Sequence, residues 1–237
     1  MIIEILYPEI ASLYGDQGNL DILRQCLLDA TFIKTTFASI PAFVSQKVDL
    51  IIMGPSSEED QYRIIDVLMP YEKDLQRCIQ KGTHFLLSGN AMDAFCKYLI
   101  DDSGKRHEGI GILDFYVKQD LAHRYNGFVV GTFLDFEIVG HKSQFSMVYG
   151  DNSKIPFLTV KRGIGLNSES VLDGIHFHHF YASSILGPIL ILNPLFTKYL
   201  LKELGAGEIV LPYEDDLMAA YQQRLIEFKN PEIQQIH

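Results

Sequence analysis

The chain has 237 residues, 47% hydrophobic and 21% charged, with a formal net charge of −10. That is the composition of a globular protein long enough to bury a full core, and the acidic balance, with no Lys/Arg run, excludes a nucleic-acid partner held through its phosphates. The longest apolar run, Ile185 to Leu192, contains Gly187 and Pro188 and falls far short of the ~20 residues that a membrane span requires. No signal peptide is legible at the N-terminus. The cysteines Cys26, Cys78 and Cys96 lack CxxC spacing and read as reduced thiols of a cytoplasmic protein, most simply as small buried hydrophobes.

The first hundred residues alternate between strand and helix patterns. Ile2–Leu6 is strand-like, and Gly18 to Ala30 carries Leu20, Leu23, Leu27 and Leu28 on one helical face. Thr31–Phe37 is β-rich. Val48–Met53 is a continuous apolar run, as expected of a strand covered on both faces. A helical pattern extends from Glu58 to Lys81, with an interruption near Pro70. A strand over Thr83–Leu87 and a helix over Asn90–Ile100 follow. This βαβαβ rhythm predicts an α/β fold with a mostly parallel, doubly wound sheet flanked by helices. Ligands in such sheets bind beyond the C-terminal strand ends, where both Gly54-Pro55-Ser56-Ser57 and Ser88-Gly89-Asn90 fall.

The second half is β-rich, with short runs at Phe128–Thr132, Phe136–Val139, Phe145–Tyr149 and Pro156–Val160, punctuated by Gly163-Ile164-Gly165 and Asp173-Gly174. Ile189–Leu192 reads as one more strand. Helices are expected over Leu195–Leu204, ending at Gly205, and over Glu214–Phe228, whose acidic first turn suits the helix dipole. No linker or repeat divides the chain. Residues 1–237 therefore read as one domain, with a βαβ half (1–101) and a β-rich half with C-terminal helices (102–237).

Ser88 draws attention first. It ends an apolar strand and precedes a tight turn and a helix, the elbow on which several hydrolases present a catalytic Ser or Cys. Other motifs surround it in order: Leu6-Tyr7-Pro8-Glu9 with Leu13-Tyr14-Gly15-Asp16-Gln17-Gly18-Asn19, the turn from Gly54 to Gln61, Gly163-Ile164-Gly165-Leu166-Asn167, Asp173-Gly174, and Leu186-Gly187-Pro188 followed by Asn193-Pro194. As an ordered set they resemble the class I (triad) glutamine amidotransferases of the cobyric acid synthase (CobB/CobQ-like) branch, in particular the separate glutaminase subunits of lipid II isoglutaminyl synthase (GatD type). The resemblance implies a three-layer, flavodoxin-like fold and a reaction in which a Cys thiolate attacks the glutamine amide, a His moves the proton, and backbone N–H groups hold the oxyanion.

The resemblance puts the nucleophile position on Ser88 and the family His on Leu186, so both reacting groups are replaced. A hydroxyl is harder to ionise than a thiol, and leucine moves no proton. In a serine hydrolase, loss of nucleophile or base costs on the order of 10⁶ in rate. The oxyanion and substrate pocket maps to Gly54, Pro55, Ser56, Gly89 and Asn90, and Pro55 has no N–H to donate. Tyr14, Asp16 and Asn19 read equally as ligand contacts or as a turn and N-cap before the first helix. His141 lies in a segment that resembles one carrying a family His; with His84, His178 and His179 it is a conceivable substitute base. His176 and His178 would share a face on a strand, but no carboxylate or thiol completes a metal site, and neither metal nor cofactor is expected.

The expected function is a catalytically impaired glutaminase subunit that supports or regulates a Mur-ligase-like (MurT-type) ATP-dependent partner in cell-wall or cobalamin-type amidation, with glutamine or a related amide as ligand. Two other readings stay open: a serine hydrolase or amidase using Ser88 with a recruited His, and a binding module that uses the vacated glutamine pocket.

Overall fold

The computed structural model describes residues 1–233. Its centre is a six-stranded sheet in which β1 (Ile2–Leu6), β2 (Thr31–Thr35), β3 (Leu50–Met53), β4 (His84–Ser88) and β14 (Phe180–Ser183) run parallel and β13 (Ile175–Phe177) runs antiparallel at one edge. The order is β13-β14-β4-β3-β1-β2. The central strand β3 is apolar at every position, and β4 is apolar between His84 and Ser88, for a physical reason: alternate side chains enter different cores. Ile51, Met53, Phe85 and Leu87 join one apolar cluster, while Leu50, Ile52 and Leu86 join the other.

Helices α1 (Gln17–Cys26), α6 (Ile189–Leu192) and α7 (Pro194–Glu203) pack into one cluster. Helices α2 (Ala42–Ser45), α3 (Glu58–Leu68), α4 (Glu72–Gln80) and α5 (Ala91–Ala94) pack into the other. A short 3-10 turn at Met69–Tyr71 separates α3 from α4 at Pro70, as the sequence predicts. Ser57 caps α3 by accepting from the Asp60 N–H at 3.1 Å. Buried Glu4 accepts from the N–H groups of Ala42 and Phe43 and so pins α2. Helix α8 (Glu214–Lys229) lies over the β-rich half, with Tyr221 packed on Val130 and Val139.

That β-rich half forms two further four-stranded sheets. One orders β10 (Ser146–Tyr149), β7 (Leu113–Gln119), β5 (Cys96–Ile100) and β6 (Arg106–Glu108); the other orders β12 (Leu172–Asp173), β11 (Leu158–Arg162), β8 (Tyr125–Phe133) and β9 (Phe136–Gln144). Among the described residues, no helix is long and apolar enough to cross a membrane.

Three sequence expectations are corrected here. The helix expected over Asn90–Ile100 stops at Ala94. Cys96–Ile100 is a strand that pairs with β6 and β7 and alternates buried Leu99 with less buried neighbours. Ile189–Leu192 is helical, because the sheet position beside β14 is filled by β13. The three clustered histidines do not share a strand: β13 ends at Phe177, and His178 sits in the hairpin turn at φ +50.

Candidate functional site

The parallel strands deliver their C-terminal ends to one edge. There β3 runs into Gly54-Pro55, β4 into Gly89-Asn90, and β14 into Ser184. A cavity of about 270 Å³ opens above these turns. Its floor includes buried Pro55, Gly89 and Leu186. Its walls take Ser143 to Ser146 from the β9–β10 region and Ser56 to Glu58 from the start of α3, and exposed Tyr14 and Arg124 stand at its mouth. The Arg124 guanidinium donates to the Tyr14 hydroxyl, across 110 positions of sequence. None of the described residues lining this cavity is a histidine or a cysteine.

Ser88 lies beneath the cavity. It is 2% exposed, and its hydroxyl donates to the Asp16 carboxylate at 2.7 Å. Asn19 donates to the same oxygen at 2.9 Å, and its own Oδ1 accepts from the Leu190 N–H. Asp16 stands at the N-terminal boundary of α1 but makes no side-chain cap there, so the capping role expected of Asp16 or Asn19 is replaced by this interior network. The carboxylate fits because two chain segments approach it closely. A Cβ on Gly54 would stand 2.4 Å from Asp16 Oδ2, and one on Gly187 would stand 2.3 Å from Oδ1. Burial pushes the Asp16 carboxyl up to about 6, against the lowering effect of the Ser88 and Asn19 hydrogen bonds. Ser88→Ala is expected to cost about 1–3 kcal/mol of stability, measured by urea unfolding, since a buried carboxylate loses a donor.

Two of the N–H groups at these turns are already engaged. Pro55 has none, the Ser56 N–H donates to Asn90 Oδ1 at 3.0 Å, and the Gly89 N–H donates to the Ile185 carbonyl at 3.0 Å. Asn90 also donates to the Ser56 carbonyl at 2.9 Å, which locks the two turns together. An oxyanion needs donors aimed at the place where its charge develops, and these two point into protein acceptors. Leu186 lines the cavity with its aliphatic side chain, and its N–H donates to the His141 carbonyl at 2.9 Å. The His141 ring is not part of the lining; burial, and then the positive charge of Arg124, lower its pKa. The His84 and His179 rings meet at a tilt of 33° with centroids 4.2 Å apart at the start of β4, the opposite end of that strand from Ser88.

Sequence reasoning missed the support behind the cavity wall. Lys142 and Asp173 are both wholly buried and paired. Lys142 Nζ also donates to the Gly165 carbonyl at 2.7 Å, while Ser183 Oγ donates to Asp173 Oδ2 at 2.5 Å and accepts from the Ile185 N–H at 3.1 Å. The Gly163–Asn167 and Asp173-Gly174 motifs thus fix the segment that carries Ser184 and Leu186. A signal was present in β9: Ile138, Gly140, Lys142 and Gln144 share its inward face, and a lysine on such a face requires a buried partner. Glu58, Arg124 and Ser143–Ser146 carried no signal, because the cavity gathers them from separate segments.

A parallel sheet of this order, with its cavity at the strand C-termini, is the class I, flavodoxin-like fold of glutamine amidotransferases. A solved glutamine amidotransferase superposes with a TM-score of 0.56 over 86% of this chain and 100% of its own, at 12% identity. The chain belongs to the CobB/CobQ-like glutamine amidotransferase domain family, whose model matches residues 2–189. It is 26% identical over 223 residues to the lipid II isoglutaminyl synthase (glutamine-hydrolyzing) subunit GatD of Streptococcus pneumoniae, covering 90% of this chain and 85% of that protein. It is 28% identical over 195 residues to the GatD subunit of Staphylococcus aureus, covering 81% and 79% respectively.

Proposed function

We propose that this chain is a pseudo-glutaminase subunit: it keeps the amidotransferase fold and a small-molecule cavity but does not hydrolyse glutamine. The observation that carries this is the cavity floor, where Pro55, Gly89 and Leu186 present neither nucleophile nor base. Ser88, which precedes Gly89, is buried and committed to Asp16. The engaged N–H groups of Ser56 and Gly89 support the same reading.

The role that remains is binding. Glu58 and Arg124 place opposite charges on a cavity whose floor is largely apolar, which suits a zwitterion such as glutamine or a related amide held without turnover. The relatives are subunits by name, and the partner that the family resemblance implies is a Mur-ligase-like, MurT-type ATP-dependent chain. Occupancy of the cavity would then stabilise or regulate that partner.

Purified protein, alone and with the Mur-ligase-like chain, is expected to release no glutamate from glutamine above background. Release at about 1 s⁻¹, within the ordinary range of enzyme turnover, would overturn the reading. Calorimetric titration with glutamine and with asparagine measures the binding role, and the absence of heat with both would remove it.

A further inference from the structure

The turn after β4 offers two neighbouring places for a reactive side chain, and they face different surroundings. Ser88 closes the strand, opposite Ser183 in the sheet, and its hydroxyl turns inward to Asp16. Gly89 comes next, lines the cavity, and has left-handed backbone at φ +60. A Cβ built on Gly89 would stand 2.6 Å from Pro55 Cβ and 3.3 Å from Leu186 Cδ2, between two residues of the cavity floor.

A strand–turn–helix elbow exposes its nucleophile by placing it on the sharp, strained residue of the turn, from which the side chain stands out over the sheet edge. Here Gly89 has that backbone conformation; Ser88 is not among the residues with positive φ. Activation also requires nucleophile and base to be neighbours. The Cβ position of Gly89 touches Leu186, the residue that the family resemblance aligns with the His.

We propose that Gly89, and not Ser88, holds the position from which a nucleophile in this fold faces the cavity, and that Ser88 is a positioning residue that ties the turn to Asp16. The assignment deepens the pseudo-glutaminase reading and rests on it for the chemistry at stake. The position has lost its side chain altogether, and Pro55 and Leu186 have closed over the space.

Thiol labelling separates the two positions. Gly89→Cys is made together with Pro55→Gly, because the proline ring occupies the space the new side chain needs. Ser88→Cys is made in the same Pro55→Gly background, so that Cys26, Cys78 and Cys96 are common to both. Native protein is treated with iodoacetamide, a small carboxamide electrophile, and alkylation is followed residue by residue by peptide mass mapping. The thiol placed at position 89 is expected to react on the order of 100-fold faster than the one at 88, since buried thiols are inert. Adding Leu186→His is expected to accelerate only the former at neutral pH, through its thiolate.

Equal rates, or faster labelling at 88, overturn the assignment. If the Gly89→Cys protein does not fold by circular dichroism, the Ser88→Cys protein still decides. Protection of its thiol supports the assignment, and labelling at the rate of a free thiol overturns it. Glutamate release by the unaltered chain, which has no thiol at either position, tests the pseudo-glutaminase reading separately.

Discussion

Lys142→Met is expected to cost about 3–5 kcal/mol of unfolding free energy, measured by urea denaturation, because it strands a charge inside the protein. Lys142 and Asp173 are both 0% exposed, and without the ammonium the carboxylate keeps, among the described side chains that donate to it, the Ser183 hydroxyl alone. Most of that cost comes from leaving Asp173 unpaired rather than from the net worth of the pair, since replacing both members of a buried pair is often nearly neutral. The double variant Lys142→Met/Asp173→Asn is therefore expected to recover most of the loss. A double variant no more stable than the single one would contradict this account. The same pair anchors Ser183, which holds the Ile185 N–H, so weakened ligand binding in the single variant should accompany the loss of stability.

Asp16→Asn should change the pH dependence of stability in a defined direction. The folded-state carboxyl is raised to about 6 from an ordinary value of 3.8. Below about pH 3 it is protonated in both folded and unfolded chains, and its ionisation costs nothing. As pH rises from about 3.8 towards 6 the unfolded chain gives up this proton while the folded chain keeps it, so stability falls by about 3 kcal/mol in total and levels off above pH 6. Asparagine cannot ionise and still offers an oxygen to Ser88 and Asn19. Its stability relative to the unaltered protein should thus improve by about 3 kcal/mol between pH 3 and pH 7. Asp93, also raised to about 6 by burial, and His84, lowered to about 4 by burial and then by His179, contribute to both proteins and cancel in the difference. A difference that stays flat across this range would refute the raised carboxyl.

The parallel half was legible because β3 is apolar at every position and β1 and β4 are mostly so, the pattern of strands covered on both faces. The errors arose where a short apolar pattern fits two structures. Ala91, Phe95 and Leu99 repeat every four residues and look helical, yet Cys96–Ile100 finds strand partners on both sides. Ile189–Leu192 looks like a strand but has no vacant place in the sheet. The site was legible as a set of turns and not as a set of contacts. Asp16 and Ser88 lie 72 positions apart, and no periodicity joins them. The register of the elbow is likewise a matter of backbone conformation, and the Ser–Gly pair leaves it open in the sequence.

The packing around Gly89 also constrains how this chain can change over generations. Any side chain introduced there meets the Pro55 ring, whose Cβ would lie 2.6 Å from the new Cβ. A mutation placing a cysteine at that position is therefore disfavoured until Pro55 has itself been replaced. Replacing Pro55 alone opens space on the floor while bringing back no reacting group. On the pseudo-glutaminase reading, a route to glutaminase chemistry at this position runs through at least one unfavourable step, so lineages carrying this proline–glycine pair should diverge in their surfaces and ligands before they change here.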